Sequence, residues 1–130
     1  MRLLLDTHLL LWALGEPGRL DRTTRAVIED TGNDVLFSAA SIWEIAIKAA
    51  LGRMDFRVGP EAIVQAARRT GFVELPVHAA AAALVADLPP HHRDPFDRLL
   101  IAQAMAEPAR LYTADPILPP YSELVTLVGA

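Results

Sequence analysis

The stretch RLLLDT, residues 2–7, is the part of the sequence that decides the fold. Three consecutive leucines are typical of a short strand that is covered on both faces, as in a parallel sheet with helices on each side. The apolar run stops at Asp6, and a carboxylate is costly to bury without a partner. We therefore expect Asp6 at the edge of the sheet beyond the carboxyl ends of the strands, where ligands bind in open α/β proteins.

Outward from this strand, short apolar runs alternate with helix signals along the whole chain, which is typical of an α/β fold with a central parallel sheet of four to five strands. Further strands are predicted at residues 35–38, 72–75, 110–113 and 124–128. Helices are predicted over residues 8–14, 22–31, 41–51, 61–70, 78–87 and 95–105. The expected helix caps are Thr7, Asp21 and Asp94, and residues 53–59 are expected to form a loop.

The composition is that of one globular domain over residues 1–130. Hydrophobic residues make up 52% of the chain and charged residues 22%, which excludes a disordered protein. The absence of cysteine excludes disulfides and thiolate chemistry. The net charge of −4 neither indicates nor excludes nucleic-acid binding. The sequence has neither the features of a signal peptide nor an apolar run long enough to span a bilayer, so we expect a cytoplasmic protein without membrane contact.

Four carboxylates follow predicted strands or begin predicted helices, and they are the candidate site residues. Asp6 directly follows the first strand, and Asp115 comes one alanine after the fourth. Glu44 lies in the first turn of the helix that leaves the second strand, so these three acids are expected at one edge of the sheet. Asp97 lies in the first turn of the helix before the fourth strand, and the topology places it less directly.

Each of these acids also has an ordinary structural explanation. Asp6 is a preferred type of helix cap, and Asp115 precedes a proline, as in many turns. Glu44 has the spacing of a capping box with the serine three residues before it, and Lys48 one helical turn later would pair with it. Asp97 would favour the positive end of its own helix.

The helices that carry Glu44 and Asp97 favour a functional site because they are otherwise apolar, and helices of this kind are largely buried. Carboxylates that converge in one pocket repel each other unless a divalent cation holds them. Oxygen ligands without cysteine indicate Mg²⁺ or Mn²⁺ rather than structural zinc. His91 and His92 are alternative ligands, but we expect them to be exposed to solvent, because they lie in a Pro-Pro-His-His loop.

Three stretches of the chain resemble the PIN-domain nucleases, and most closely the VapC-type toxins of prokaryotic toxin–antitoxin pairs. These stretches are LDTHLLLW at residues 5–12, SAASIWEI at 38–45 and HRDPFDRLLIA at 92–102. The resemblance implies a single PIN domain over residues 1–130, with a three-layer α/β/α fold around a central parallel sheet. It implies a Mg²⁺- or Mn²⁺-dependent endoribonuclease in which Asp6, Glu44, Asp97 and Asp115 are the acidic quartet that binds metal and carries catalysis. It also implies an RNA substrate, a cognate antitoxin protein and a homodimer.

Further polar residues near the quartet are candidates for supporting the metal ligands or contacting the substrate. Two threonines match positions beside the acids, and one extra acid belongs to the DPFD form of the motif. Basic residues near the acids are candidates for phosphate contact, although salt bridges to these same acids would explain them equally well. The supporting residues are Thr7, Ser38, Asp94, Thr113, Lys48, Arg93 and Arg98.

Three other classes of protein remain as alternatives. A receiver-like signalling domain also combines a small α/β fold with Mg²⁺, but it needs a lysine after a late strand, and Lys48 is the only lysine here. A haloacid-dehalogenase-type phosphatase needs Asp-x-Asp after the first strand, where this chain has Asp6-Thr7-His8. A binding module whose acids are only caps would lose no activity when Asp6 or Asp97 is changed to asparagine. Nothing in the sequence identifies the RNA target.

Overall fold

Five short strands form one parallel sheet in a computed structural model that describes residues 1–53 and 58–129. The strands are β1 (Arg2–Leu5), β2 (Asp34–Ser38), β3 (Val73–Leu75), β4 (Arg110–Thr113) and β5 (Val125–Leu127). Their order across the sheet is β3-β2-β1-β4-β5, so β1 is the central strand. Receiver domains instead use the order 2-1-3-4-5, and this difference excludes the receiver alternative.

The three leucines of β1 explain its central position. Leu3, Leu4 and Leu5 are all fully buried, and they pair in register with β2 on one side and β4 on the other. Successive side chains of a strand point to opposite faces, so Leu3 and Leu5 enter one apolar cluster and Leu4 enters a second. The sheet therefore has a core on each face, as the leucine run predicts.

Six α-helices in the described residues cover these two faces. They are α1 (Thr7–Gly15), α2 (Arg22–Glu29), α3 (Ala39–Ala50), α4 (Pro60–Thr70), α5 (Ala79–Leu84) and α6 (Pro95–Ala106). Apolar residues of α1 to α4 pack into the first cluster, and those of α5 and α6 into the second. The result is the predicted three-layer α/β/α arrangement.

The structure differs from the predicted element bounds mainly at helix ends. Helix α3 begins at Ala39, two residues earlier than expected, because Ser38 and not Ser41 is its cap. The alanine-rich stretch forms only the short α5, followed by a 3₁₀ turn over Val85–Asp87. Gly71 ends α4 with a positive φ of 94°, a conformation that glycine adopts without strain. Residues 54–57 of the expected loop over 53–59 lie outside the described residues.

The topology places the ends of β1, β2, β3 and β4 along one edge of the sheet, and α1 and α3 begin there directly after β1 and β2. This is the edge at which the sequence predicts the acidic site. Among the described residues, no helix combines the length and the apolar character that a membrane crossing requires.

Candidate metal centre

Asp6 is the cap of α1, and it also lies at the sheet edge where the sequence predicts the acidic site. Its backbone N–H donates to the carbonyl of Tyr112, which extends the pairing of β1 with β4 by one residue. Its Oδ1 accepts the N–H of Leu9 at 2.9 Å, so Asp6 is the cap and the expectation that Thr7 caps this helix is wrong. Its Oδ2 accepts the hydroxyl of Thr113 at 2.6 Å. The structural and the functional explanations of Asp6 are therefore compatible.

Burial raises the pKa of the Asp6 carboxyl above its ordinary value, because the side chain is only 6% exposed. The hydrogen bonds from Thr113 and Leu9 favour the charged form and oppose this shift. The negative charge of Glu44 adds to the rise in the Asp6 pKa, which shows that the two acids lie in one electrostatic environment.

Glu44 is almost completely buried, with 3% of its surface exposed. The hydroxyl of Thr7 donates to its Oε1 at 2.6 Å and also lies 3.0 Å from the hydroxyl of Ser41. The ammonium of Lys48, one turn later on α3, donates to its Oε2. The predicted pair between Glu44 and Lys48 is confirmed, but it is largely buried and does not lie on a solvated helix face.

The predicted capping box between Ser41 and Glu44 is wrong. Ser38 caps α3, and its hydroxyl accepts the N–H of Ala40 at 2.9 Å. The same hydroxyl also contacts Oε1 of Gln103 on α6. Because α3 starts earlier than expected, Glu44 lies in its second turn, and its carboxylate contacts Thr7 and Lys48. Ser38 therefore supports the site by fixing the start of the helix that carries Glu44.

Asp97 shows most clearly that the predicted acids come together. Burial, followed by the negative charges of Asp94, Asp6, Glu44 and Asp115, raises the pKa of Asp97 from its ordinary 3.8 to about 8. Asp94 is the expected cap of α6, and its Oδ1 accepts the N–H of Phe96 at 2.8 Å. The repulsion between these carboxylates disfavours the charged form of Asp97, and a divalent cation among them would relieve that repulsion.

Asp115 lies in a turn at the end of β4, as its position in the sequence predicts. Its N–H donates to the hydroxyl of Thr113 at 3.0 Å, and its Oδ1 accepts the N–H of Ile117 at 2.9 Å. Its Oδ2 lies 3.3 Å from Nε2 of His92, and Oδ2 of Asp97 lies 3.2 Å from the same nitrogen. Thr113 therefore contacts both Asp6 and Asp115, as its place between them suggests.

His92 is the site residue that the sequence analysis missed. The prediction that it is exposed is wrong, because only 21% of its side chain is exposed and its ring reaches two of the four acids. Its ligand atom and those of Asp97 and Asp115 lie within 4.8 Å of one another. His91 is exposed, as expected, and packs edge-on against Tyr121. No local pattern distinguishes the two histidines, since the partners of His92 are fixed by the tertiary structure.

The three basic candidates have different surroundings. Lys48 is paired with Glu44. The guanidinium of Arg98 donates to the carbonyls of Val85, Leu88 and Pro89, and these contacts hold the loop before α6. Arg93 lies exposed in that loop, directly before Asp94, the cap of α6.

The donor groups fit a divalent cation that prefers oxygen. Asp97 and Asp115 offer carboxylate oxygens within 4.8 Å of each other. Burial and the negative charges of nearby acids, including Asp6 and Glu44, raise the pKa of Asp97. Carboxylate donors without thiolates suit Mg²⁺ or Mn²⁺.

A parallel α/β/α fold with carboxylates gathered at the carboxyl edge of its sheet defines an α/β protein with an acidic cluster at that edge. A sequence model of the PIN domain matches residues 3–123, so the chain belongs to the PIN domain family.

Two relatives resemble this chain more specifically. Ribonuclease VapC16 of Mycobacterium tuberculosis (strain ATCC 25618 / H37Rv) is 55% identical over 31 residues, which are 24% of this chain and 22% of that protein. The match therefore spans about a fifth of the relative's length. The crystal structure of VapBC2 from Rickettsia felis, bound to a DNA fragment from their promoter, superposes with a TM-score of 0.73. It is 13% identical, and the alignment covers 99% of this chain and 100% of that one. The first comparison confirms the predicted resemblance to VapC-type proteins over a short stretch. The second confirms the fold.

Proposed function

We propose that this protein is a Mg²⁺- or Mn²⁺-dependent endoribonuclease and the toxin of a toxin–antitoxin pair. The observation that carries the proposal is the crowding of acids around Asp97, where burial and the negative charges of Asp94, Asp6, Glu44 and Asp115 together raise its pKa to about 8. Acids that serve only as caps face solvent and backbone N–H groups, and they have no need to crowd one another. The name of a relative that shares a short identical stretch, Ribonuclease VapC16, supports RNA as the substrate.

Asp6, Glu44, Asp97 and Asp115 would hold the cation. When bound, the ion would neutralise phosphate charge and lower the pKa of a water molecule for attack on phosphorus. The chain prepares this site through hydrogen bonds that orient the carboxylates before any ligand arrives. Thr113 fixes Asp6, while Thr7 and Lys48 fix the two oxygens of Glu44.

Basic groups around the acids would bring the phosphate backbone to the site. Arg93 is exposed in the loop that leads to Asp97, where a cation can contact phosphate without neutralising a metal ligand. The ammonium of Lys48 balances the negative charge of the Glu44 carboxylate within the pocket. RNA carries a negative charge at every phosphate, so four bare carboxylates would repel it, and we expect no activity without metal. A cytoplasmic location, where RNA is present, is part of this proposal.

An antitoxin partner is supported by the fold match to VapBC2 and by a cleft between α1 and α4. The cleft has a volume of about 890 Å³ and is lined by Leu11, Trp12 and Ile63. Arg19 and Arg69 also line it, so a protein segment with apolar side chains and acidic flanks would fit.

A homodimer remains part of the proposal, although the apolar helix α1 offers little surface for it. Leu9 and Leu10 are buried in the core of the subunit. The exposed apolar residues Trp43, Ile47 and Leu51 recur at helical spacing along and just beyond α3, and they offer a better surface for association. Light scattering on wild type and Trp43→Ser tests this surface: a monomer in both proteins at high concentration contradicts the dimer.

The direct test of the nuclease is an RNA cleavage assay with wild type, Asp6→Asn and a matched control, Asp34→Asn. Asp34 is an exposed acid at the amino end of β2, on the opposite edge of the sheet. We expect cleavage by wild type and the control in Mg²⁺ or Mn²⁺, with loss of cleavage in chelator and in Asp6→Asn. Equal cleavage by Asp6→Asn and wild type in clean preparations would overturn the proposal.

A further inference from the structure

The imidazole of His92 lies between the two acids that the rest of the site holds least. Its Nε2 is 3.2 Å from Oδ2 of Asp97 on α6 and 3.3 Å from Oδ2 of Asp115 in the turn after β4. These two acids come from separate parts of the fold, and the ring of His92 joins them.

The hydrogen bonds of the ring identify which nitrogen carries its proton. Nδ1 of His92 accepts the backbone N–H of Arg93 at 2.9 Å, and the N–H of Asp94 lies 3.4 Å from the same nitrogen. A nitrogen that accepts a hydrogen bond cannot carry the proton, so the neutral ring holds it on Nε2. The Nε2–H group therefore points at Asp97 and Asp115 as a donor that both carboxylates share.

The backbone of His92 is fixed by a second set of contacts. Its N–H donates to the phenol oxygen of Tyr121 at 2.7 Å, and Nη1 of Arg98 donates to the same oxygen at 3.2 Å. Tyr121 is 9% exposed, so this anchor is part of the folded core. Arg98 also holds the carbonyls of Leu88 and Pro89 in the preceding loop. The ring is thus held in place from both its side-chain and its main-chain ends.

We propose that His92 is a positioning residue of the metal centre, whose Nε2–H bridges Asp97 and Asp115 and fixes the orientation of both carboxylates for the cation. This inference rests on the proposed metal centre and assigns a role within it. His92 is not itself a ligand, because coordination by Nε2 requires the lone pair that the proton occupies. Groups that orient metal ligands typically change affinity by about 10–100-fold when they are removed.

The first experiment reads the tautomer without any metal. Long-range ¹H–¹⁵N correlation spectra of the histidine rings in the metal-free protein distinguish Nε2–H from Nδ1–H. We expect the Nε2–H form for His92, assigned by its disappearance in His92→Gln. The Nδ1–H form would overturn the proposal, because Nε2 would then be a free acceptor.

The second experiment measures Mn²⁺ affinity by calorimetry in wild type, His92→Ala, His92→Gln and the matched control His91→Ala. We expect binding about 10-fold weaker in His92→Ala. The amide of glutamine carries an N–H donor at a similar reach, so His92→Gln should recover most of the affinity. His91→Ala should bind within about twofold of wild type. Circular dichroism establishes that each variant is folded.

The outcomes separate this inference from the proposed function. If wild type binds Mn²⁺ and His92→Ala binds equally well, the positioning role is wrong and the metal centre stands. If wild type does not bind Mn²⁺, the metal centre and the role of His92 both fail. Electron spin echo spectra of bound Mn²⁺ complete the test, because a directly coordinated nitrogen that disappears in His92→Ala would make His92 a ligand and overturn the proposal.

Discussion

The four acids at the carboxyl edge of the sheet form two halves with different surroundings: Asp6 with Glu44, and Asp97 with Asp115. Folding alone fixes Asp6 and Glu44: they are 6% and 3% exposed, and each of their four carboxylate oxygens has a donor from Leu9, Thr113, Thr7 or Lys48. The side chains of Asp97 and Asp115 are 19% and 31% exposed, and the imidazole of His92 links them.

This difference separates the pair of acids that hydrogen bonds support from the pair in which charge repulsion lowers stability. Buried carboxylates persist when hydrogen bonds satisfy them, so the half that contains Asp6 and Glu44 contributes to the fold. Asp97 instead has a pKa raised to about 8 by burial and by the repulsion of the surrounding acids. We infer that Asp97 and Asp115 are both fully charged at neutral pH only when a cation is bound.

The largest expected effect is that of Asp97→Asn, which should abolish Mn²⁺ binding and RNA cleavage. The same change should raise the thermal stability of the metal-free protein at pH 8, because a neutral amide removes the charge that the other acids repel. Calorimetry and thermal unfolding measure the two effects. If metal binding persists, or if the variant is clearly less stable than wild type at pH 8, Asp97 does not carry the repulsion.

Asp6→Ala should also abolish metal binding, but with the opposite effect on stability. The change removes the cap of α1 and leaves the hydroxyl of Thr113 without its carboxylate partner. Loss of a cap costs about 1 kcal/mol, and loss of a buried hydrogen bond adds about 1 kcal/mol. Denaturant unfolding of the metal-free protein should show this decrease in the free energy of unfolding. A stability equal to wild type would contradict the distinction between the two halves.

Thr7→Val should weaken the support of Glu44 while leaving all four carboxylates in place. It deletes the hydroxyl that donates to Oε1 of Glu44 at 2.6 Å, which leaves a buried carboxylate oxygen without a partner. The expected loss is about 1–3 kcal/mol of unfolding free energy, together with weaker Mn²⁺ binding. Thr7→Ser keeps the hydroxyl and is the matched control, so equal losses in both variants would attribute the effect to packing.

A further expected effect is the pH dependence of metal-free stability. The native protein keeps the Asp97 proton up to a pKa of about 8, whereas the unfolded chain releases it near 3.8. The native state therefore binds more protons between these values, and the contribution of Asp97 to stability falls as the pH rises from about 4 to about 8. Denaturant unfolding across this range should show a decline that is smaller in Asp97→Asn. An identical pH profile in the two proteins would contradict the raised pKa.

The sequence predicts most of the fold because its strongest signals are local. The leucines of β1 identify a strand buried on both faces, and the acids that follow strands mark one edge of the sheet. Its failures involve competing local signals or distant partners. Ser38 and Ser41 are both plausible caps, and only the packing against Gln103 and Thr7 shows which one begins α3. His92 depends on Tyr121, which is 29 residues away, so no local pattern distinguishes it from its neighbour.

The most direct test of a single metal centre is the number of protons released when Mn²⁺ binds. Calorimetric titrations at pH 7, in buffers with different ionisation enthalpies, measure this number for wild type. Because Asp97 with a pKa of about 8 holds a proton at pH 7, binding should release close to one proton per Mn²⁺, and fewer at pH 9. Binding without proton release at pH 7, or no binding at all, would contradict the account of these carboxylates as one cation site.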